Sequence, residues 1–107
     1  MPTRRLREIA RIIRSKNAGP FELTFDVMFA DADSYERVKR SGVISSELFQ
    51  RLYRIGPEKV LSVHAFDPAL GFKVTIARPV SSGTAGDSDV FGAQQHAPLL
   101  EVEVPWD

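Results

Sequence analysis

The chain has no cysteine, a single tryptophan and two histidines, and its charges cancel, with Lys plus Arg and Asp plus Glu at 14 each. The missing thiols exclude disulfides, thiolate nucleophiles and cysteine-based zinc sites, and they permit a reducing compartment. Zero net charge argues against a binder of polyanions driven by overall attraction, so no nucleic-acid partner is expected. No stretch approaches the ~18 consecutive apolar residues of a membrane span. A soluble, cytoplasmic protein without a membrane partner is the expectation. A length of 107 residues suits one domain, 1–107, with one small core.

The cancelled charge is unevenly spread. Residues 1–16 hold six bases (Arg4, Arg5, Arg7, Arg11, Arg14 and Lys16) against Glu8, whereas residues 79–107 hold five acids and no base. Glu101 and Glu103 alternate with Val102 and Val104, so a last strand should lie near the basic first segment, opposite charges facing. An arginine-rich start also fits an organellar transit peptide, but its apolar residues look needed for the core.

"FELTFDVMF" alternates from Phe21 to Phe29 and reads as a strand. "DADSYERVKR" offers Asp33 as an N-cap with Glu36 three residues on, followed by Gly42. A second helix should start at Ser45 or Ser46 and carry Leu48, Phe49, Leu52 and Tyr53 on one stripe, with Ile44 stapled to Phe49, until Gly56 and Pro57 end it. Val60 to Phe66 and Phe72 to Arg78 read as a hairpin through "DPALG", whose Pro68 and Gly71 supply the turn. Within it Phe72, Val74 and Ile76 face one way and Lys73 and Thr75 the other, which predicts one covered and one wetter sheet face. "LLEVEVP" forms the final strand. Residues 6–13 fit two periods, since Leu6, Ile9, Ala10 and Ile13 match a helix while Arg7, Ile9, Arg11 and Ile13 alternate. The expected class is α+β, a mostly antiparallel sheet of four or five strands with two short helices on one face.

Two polar clusters are candidates for chemistry. In the long stretch from Gly83 to His96, Gly83 and Gly86 free the backbone, Asp89, Gln94 and Gln95 bring acceptors and donors, and Asp87 and His96 are candidates for moving a proton. Its glycine spacing matches neither dinucleotide fingerprint nor Walker A, and it has no recognised metal spacing, so no metal site is expected. In "RSKNAGPFE", Arg14 can hold a carboxylate or phosphate, Ser15 and Asn17 can donate to an anion, and Gly19 with Pro20 fixes a turn. Asp26, on the wetter face, is expected to be merely exposed, and His64 to be a structural histidine.

"RSKNAGPFELTFDVMF", "DPALGFKVTIARP" and "SGTAGDSDVFGAQQHAPLLEVEVP" together resemble the bacterial family catalogued as domain of unknown function 4387. That family looks related to the small C-terminal domain of proteins similar to AtuA, the acyclic terpene utilisation protein, in which "LRDIA" followed by "RSGDKG" resembles "LREIARIIRSKNAG" here. Arg14, Ser15 and Gly19 match, but Lys16, Asn17 and Ala18 replace Gly-Asp-Lys, so any role of that aspartate does not carry over. The resemblance implies a ferredoxin-like fold or a variant of it, with residues 6–13 as a strand. Family members are commonly encoded beside AtuA-like large proteins and enzymes of acyl-CoA or hydroxy-acid catabolism. By resemblance the chain is then an accessory or small catalytic subunit of a lyase- or hydratase-type enzyme, sharing with an AtuA-like partner a site for a small-molecule anion, a carboxylate or acyl-CoA. Its residues would be Arg14, Ser15, Asn17, Gly19 and the stretch from Gly83 to His96. The alternatives are a non-catalytic module that forms homo-oligomers through its sheet edges, and a stand-alone lyase or isomerase. The sequence names no cofactor.

Overall fold

The computed structural model describes residues 2–19, 21–77 and 96–106. In chain order the elements are β1 (Thr3–Arg5), α1 (Leu6–Ile9), β2 (Ile12–Asn17), β3 (Glu22–Met28), α2 (Ala32–Ser41), α3 (Ser46–Tyr53), β4 (Val60–Phe66), β5 (Gly71–Ala77) and β6 (Glu103–Pro105). Tight 3-10 turns stand at Pro57–Lys59, Asp67–Ala69 and Ala97–Glu101. The class is α+β, as the patterning implied.

The main sheet runs β2-β3-β5-β4 with every neighbouring pair antiparallel. Since β3 and β4 are both antiparallel to the β5 between them, they run the same way, and the connection through α2 and α3 forms a split β-α-β unit. The ferredoxin-like pattern has two such crossovers. Among the described residues there is one, and the place beside β3 is taken by β2 through a hairpin closed at Gly19, whose φ is +134°.

Strand alternation sorts the side chains. Leu23, Phe25 and Val27 of β3 stand opposite Ile76, Val74 and Phe72 of β5, and all six are buried with Tyr35 and Val38 of α2 and Leu48 and Phe49 of α3. Phe25 anchors this layer, with ring centroids 5.2 Å from Phe49 and 5.0 Å from Tyr53. Each such side chain contributes on the order of 1.5–3 kcal/mol by burial. Ser45 caps α3 by accepting from the Leu48 amide at 3.2 Å, and Ile44 and Phe49 are both buried.

The charge-pairing expectation holds. β1 pairs antiparallel with β6, setting Arg5 against Glu103. Arg5 and Arg7 reach Glu101 at 3.6 and 3.3 Å, and Thr3 donates to Glu103 at 2.9 Å. Arg37 of α2 lies over the Trp106 ring at 5.0 Å, tying this clasp to the helices.

Four local expectations need correction. Residues 6–13 are neither one helix nor one strand: Leu6 is fully buried with its amide on Val102, while Arg11 already donates to Met28 at 2.7 Å, so sheet pairing takes over after a single helical turn. The N-cap of α2 is Asp31, which accepts from the Ser34 amide at 2.8 Å, while Asp33 sits in the first turn and pairs with Arg37 at 3.0 Å. Helix α3 ends on Arg54 in the left-handed region, before Gly56. In the β4–β5 turn the left-handed residue is Leu70, at φ 51°. Gly71 has a different duty: a Cβ there would meet the Val27 carbonyl oxygen at 2.8 Å, so only glycine lets β5 approach β3 so closely.

Candidate cationic hollow on the open sheet face

The same alternation that builds the core sends the other half of each strand to the opposite face. Register places Arg14 of β2 opposite Asp26 of β3, Asp26 opposite Lys73 of β5, and Lys73 opposite His64 of β4, one row across all four strands. The adjoining row is Lys16, Thr24, Thr75 and Ser62, in which the Thr24 and Thr75 hydroxyls are 3.3 Å apart. On the other side run Ile12, Met28, Gly71 and Phe66.

Asp26 is the centre of this face. It is 7 % exposed, in contrast to the exposed carboxylate expected, and Arg14 Nε donates to its Oδ2 at 3.0 Å. Arg14, Lys16, Lys73 and His64 are all exposed around it. A hollow of about 220 Å³ is lined by Arg14, Lys16, Asp26 and Lys73, with Met28, Phe66 and Gly71 supplying an apolar side. Three cations and one engaged carboxylate leave a local charge of +2, the chemistry for holding an anion whose other end is apolar. Alternation alone marks Lys73 as a wetter-face residue, but its meeting with Arg14 and Phe66 depends on register.

The residues singled out from sequence are divided by the fold. Ser15 and Asn17 stand opposite Phe25 and Leu23, so they face the helices while Arg14 faces away. Ser15 is buried and Asn17 half-buried, and neither is without a partner. Gly19 serves the hairpin turn, where the Ala18 amide donates to Glu22 at 3.0 Å. Gly83, Gly86, Asp87, Asp89, Gln94 and Gln95 lie outside the described residues. His96 is half-buried and leads into the turn Ala97–Glu101, its carbonyl accepting from the Leu99 amide at 2.9 Å. That turn packs on α1 and helps to line a larger cleft, about 540 Å³, between the α2–α3 junction and β6. The two depressions have no lining residue in common. The larger one presents Glu47, Glu101 and Glu103 against Arg51, with Glu101 also paired to Arg5 and Arg7, so it has no surplus of cations and the smaller hollow is the better anion site despite its size.

Elsewhere, the Tyr35 hydroxyl donates to Asp67 and Lys39 Nζ donates to the same carboxylate at 3.0 Å, locking α2 to the β4–β5 turn. Burial, then the bond to Asp67, pushes the Tyr35 phenol up to about 12. The bonds from Tyr35 and then Lys39 hold Asp67 below the usual carboxylate value. Among the described residues no group of three or more His, Asp or Glu side chains is placed to hold a metal ion, and no helix is long and apolar enough to cross a membrane.

Compared with known families, the sequence matches the one described as Domain of unknown function (DUF4387) over residues 6–103. No curated protein and no solved structure matches it.

Proposed function

The chain belongs to the DUF4387 family, and from that premise we propose that it is a small subunit that binds a carboxylate or acyl-coenzyme A anion on the open face of its sheet and completes that site with a larger, AtuA-like partner chain. The observation that carries the reading is the row Arg14–Asp26–Lys73, cations flanking a buried carboxylate beside the apolar surface of Met28 and Phe66. Asp26 holds Arg14 in place, so part of the ordering cost of a bidentate anion contact is already met in the free protein.

The need for a partner follows from size and openness. A pocket that encloses an organic ligand has about 300–1,000 Å³, and the hollow falls short of that range with its cations exposed. A second chain over this face would exclude water and strengthen each charge contact. The similarity of "LREIARIIRSKNAG" to the AtuA-type small domain supports the identity of that chain. Lyase- or hydratase-type turnover also needs a proton-moving group, and because His96 stands at the turn packed on α1, away from the hollow, the partner chain would supply it.

The test is recovery of the tagged chain from its native host. Co-recovery of an AtuA-like protein is expected, followed by calorimetry in which acetyl-coenzyme A binds the recombined pair at least tenfold more tightly than either chain alone. Recovery of the chain without such a partner, together with no binding of acetate or acetyl-coenzyme A, would overturn the reading. The non-catalytic oligomerising reading draws support from the β4 edge.

A further inference from the structure

Among the described residues β2 and β4 are the two outer strands of the main sheet, and they are built differently. Strand β2 carries Arg14 and Lys16, the kind of charge that keeps a sheet edge from pairing with another molecule. Strand β4, "VLSVHAF", carries no acid, no lysine or arginine and no proline over its seven residues, and it is the other edge. Two of the large hydrophobic side chains that stand exposed among the described residues, Leu61 at 49 % and Phe66 at 59 %, belong to it. The Tyr35–Asp67–Lys39 lock and the acidic cleft beside β6 show nothing comparable that points to a ligand or partner.

We propose that β4 is the contact by which two copies of this chain associate, pairing antiparallel about a two-fold axis at His64 to form a continuous eight-stranded sheet. The register follows from the strand. A bulge between Val60 and Ser62 leaves Ser62–Phe66 as the regular stretch. Centring the axis on His64 pairs all of it, with Ser62 opposite Phe66 of the second copy, Val63 opposite Ala65, and His64 opposite itself. No like-charged carboxylate or ammonium pair is created, whereas self-pairing of β2 about Ser15 would set Arg14 against Lys16. The same axis keeps the outer faces of both copies on one side. The row Arg14–Asp26–Lys73–His64 then continues into its counterpart, and both cationic hollows remain open on a single surface. The association and the anion site share only Phe66, which lines the hollow and ends the paired stretch, so either can fail without the other.

The lack of cysteine makes the test direct. Across an antiparallel pair facing Cα atoms are about 4.5–5.5 Å apart, inside the range of about 4.4–6.8 Å that a disulfide needs. His64→Cys is expected to give a covalent dimer under mild oxidation. Ser62→Cys is expected not to, because the two copies of residue 62 would be offset by four residues, roughly 14 Å at about 3.4 Å per residue. Ala65→Lys, at an exposed position, should raise the dissociation constant measured by sedimentation at least tenfold while the circular dichroism melt taken at a concentration where both proteins are monomeric is unchanged. A monomer at all concentrations would overturn the proposal. So would a dimer indifferent to Ala65→Lys, cross-linking equally at 62 and 64, or one that forms only when an unrelated strand-forming peptide occupies the edge.

Discussion

Replacing Asp26 by Asn and Lys73 by Ala should move anion affinity in opposite directions, although the two residues face each other in the same row. Asp26→Asn keeps size and an oxygen that can accept from Arg14 Nε, so the fold cost is small: one exposed-side ion pair at 3.0 Å, worth about 0.2–1 kcal/mol when one partner is half in water. Its electrostatic effect is to raise the charge of the hollow from +2 to +3. For an anion held on the order of 7 Å from the Asp26 carboxylate, 332/(ε·r) with ε between about 80 and about 20 gives about 0.6–2.4 kcal/mol, roughly a threefold gain or more. Lys73→Ala removes one attraction at closer range and should cost fivefold or more. Calorimetric titration of the partner-bound protein with acetyl-coenzyme A at low and high ionic strength reads both, and the gain from Asp26→Asn should shrink as salt rises. If Asp26→Asn weakens binding with an unchanged melting temperature, the hollow does not act as an anion site by charge, and the reasoning fails.

Gly71→Ala should destabilise the protein by about 1–3 kcal/mol, read by urea denaturation, because its Cβ has 2.8 Å to the Val27 oxygen and 2.9 Å to Met28 Cγ. Tyr35→Phe should cost about 1 kcal/mol near neutral pH, the scale of one hydrogen bond. The pH dependence of that contact has two limbs. Asp67 is depressed below 3.8, so its contribution is present above that pH and is lost as pH falls through the lower folded value. Tyr35 is raised from 10.0 to about 12, so its contribution is complete below pH 10.0 and is lost as pH climbs toward 12. Thermal melts of the Phe variant should show a shallower alkaline limb, the remainder belonging to Tyr53, whose phenol is also pushed up by burial. Ser15→Ala should act as a core substitution, lowering stability without changing anion affinity, while Lys16→Ala should weaken anion binding without changing stability, because the two residues face opposite sides of the sheet. Equal effects on binding would refute that division.

What the sequence carried best was whatever depends on period. The alternation of "FELTFDVMF" and of Phe72, Val74 and Ile76 is the core itself, and the Ser45 cap and the stripe of α3 appear where the spacing put them. The attraction between a basic start and an acidic end also survived as the β1–β6 pair and the bridges to Glu101. Residues 6–13 did not yield to periodicity because both patterns were satisfied, and the decision belonged to distant groups, the Val102 carbonyl for Leu6 and the Met28 carbonyl for Arg11. Glycine was misjudged for a related reason. Its presence in "DPALG" suggested a left-handed turn position, but Leu70 takes that conformation and Gly71 is reserved for a close approach that only the folded sheet defines.

Sites on a sheet are poorly represented by clusters in a sequence. Consecutive strand residues point to opposite faces, so Arg14 and Ser15 are separated by the thickness of the sheet although they share a peptide bond. Residues that do meet come from alternate positions on one strand and from register partners far along the chain, as Arg14, Asp26, Lys73 and His64 do. Parity alone marked Asp26 and Lys73 as outward, yet it could not say that they face each other, nor that the flanking strands would bury Asp26. Burial is what changes the meaning of that carboxylate. An exposed aspartate would neutralise a nearby cation and leave both mobile in water. One fixed in the middle of the sheet holds Arg14 at the surface while Lys16 and Lys73 stay uncancelled, which makes an open face into a cationic platform.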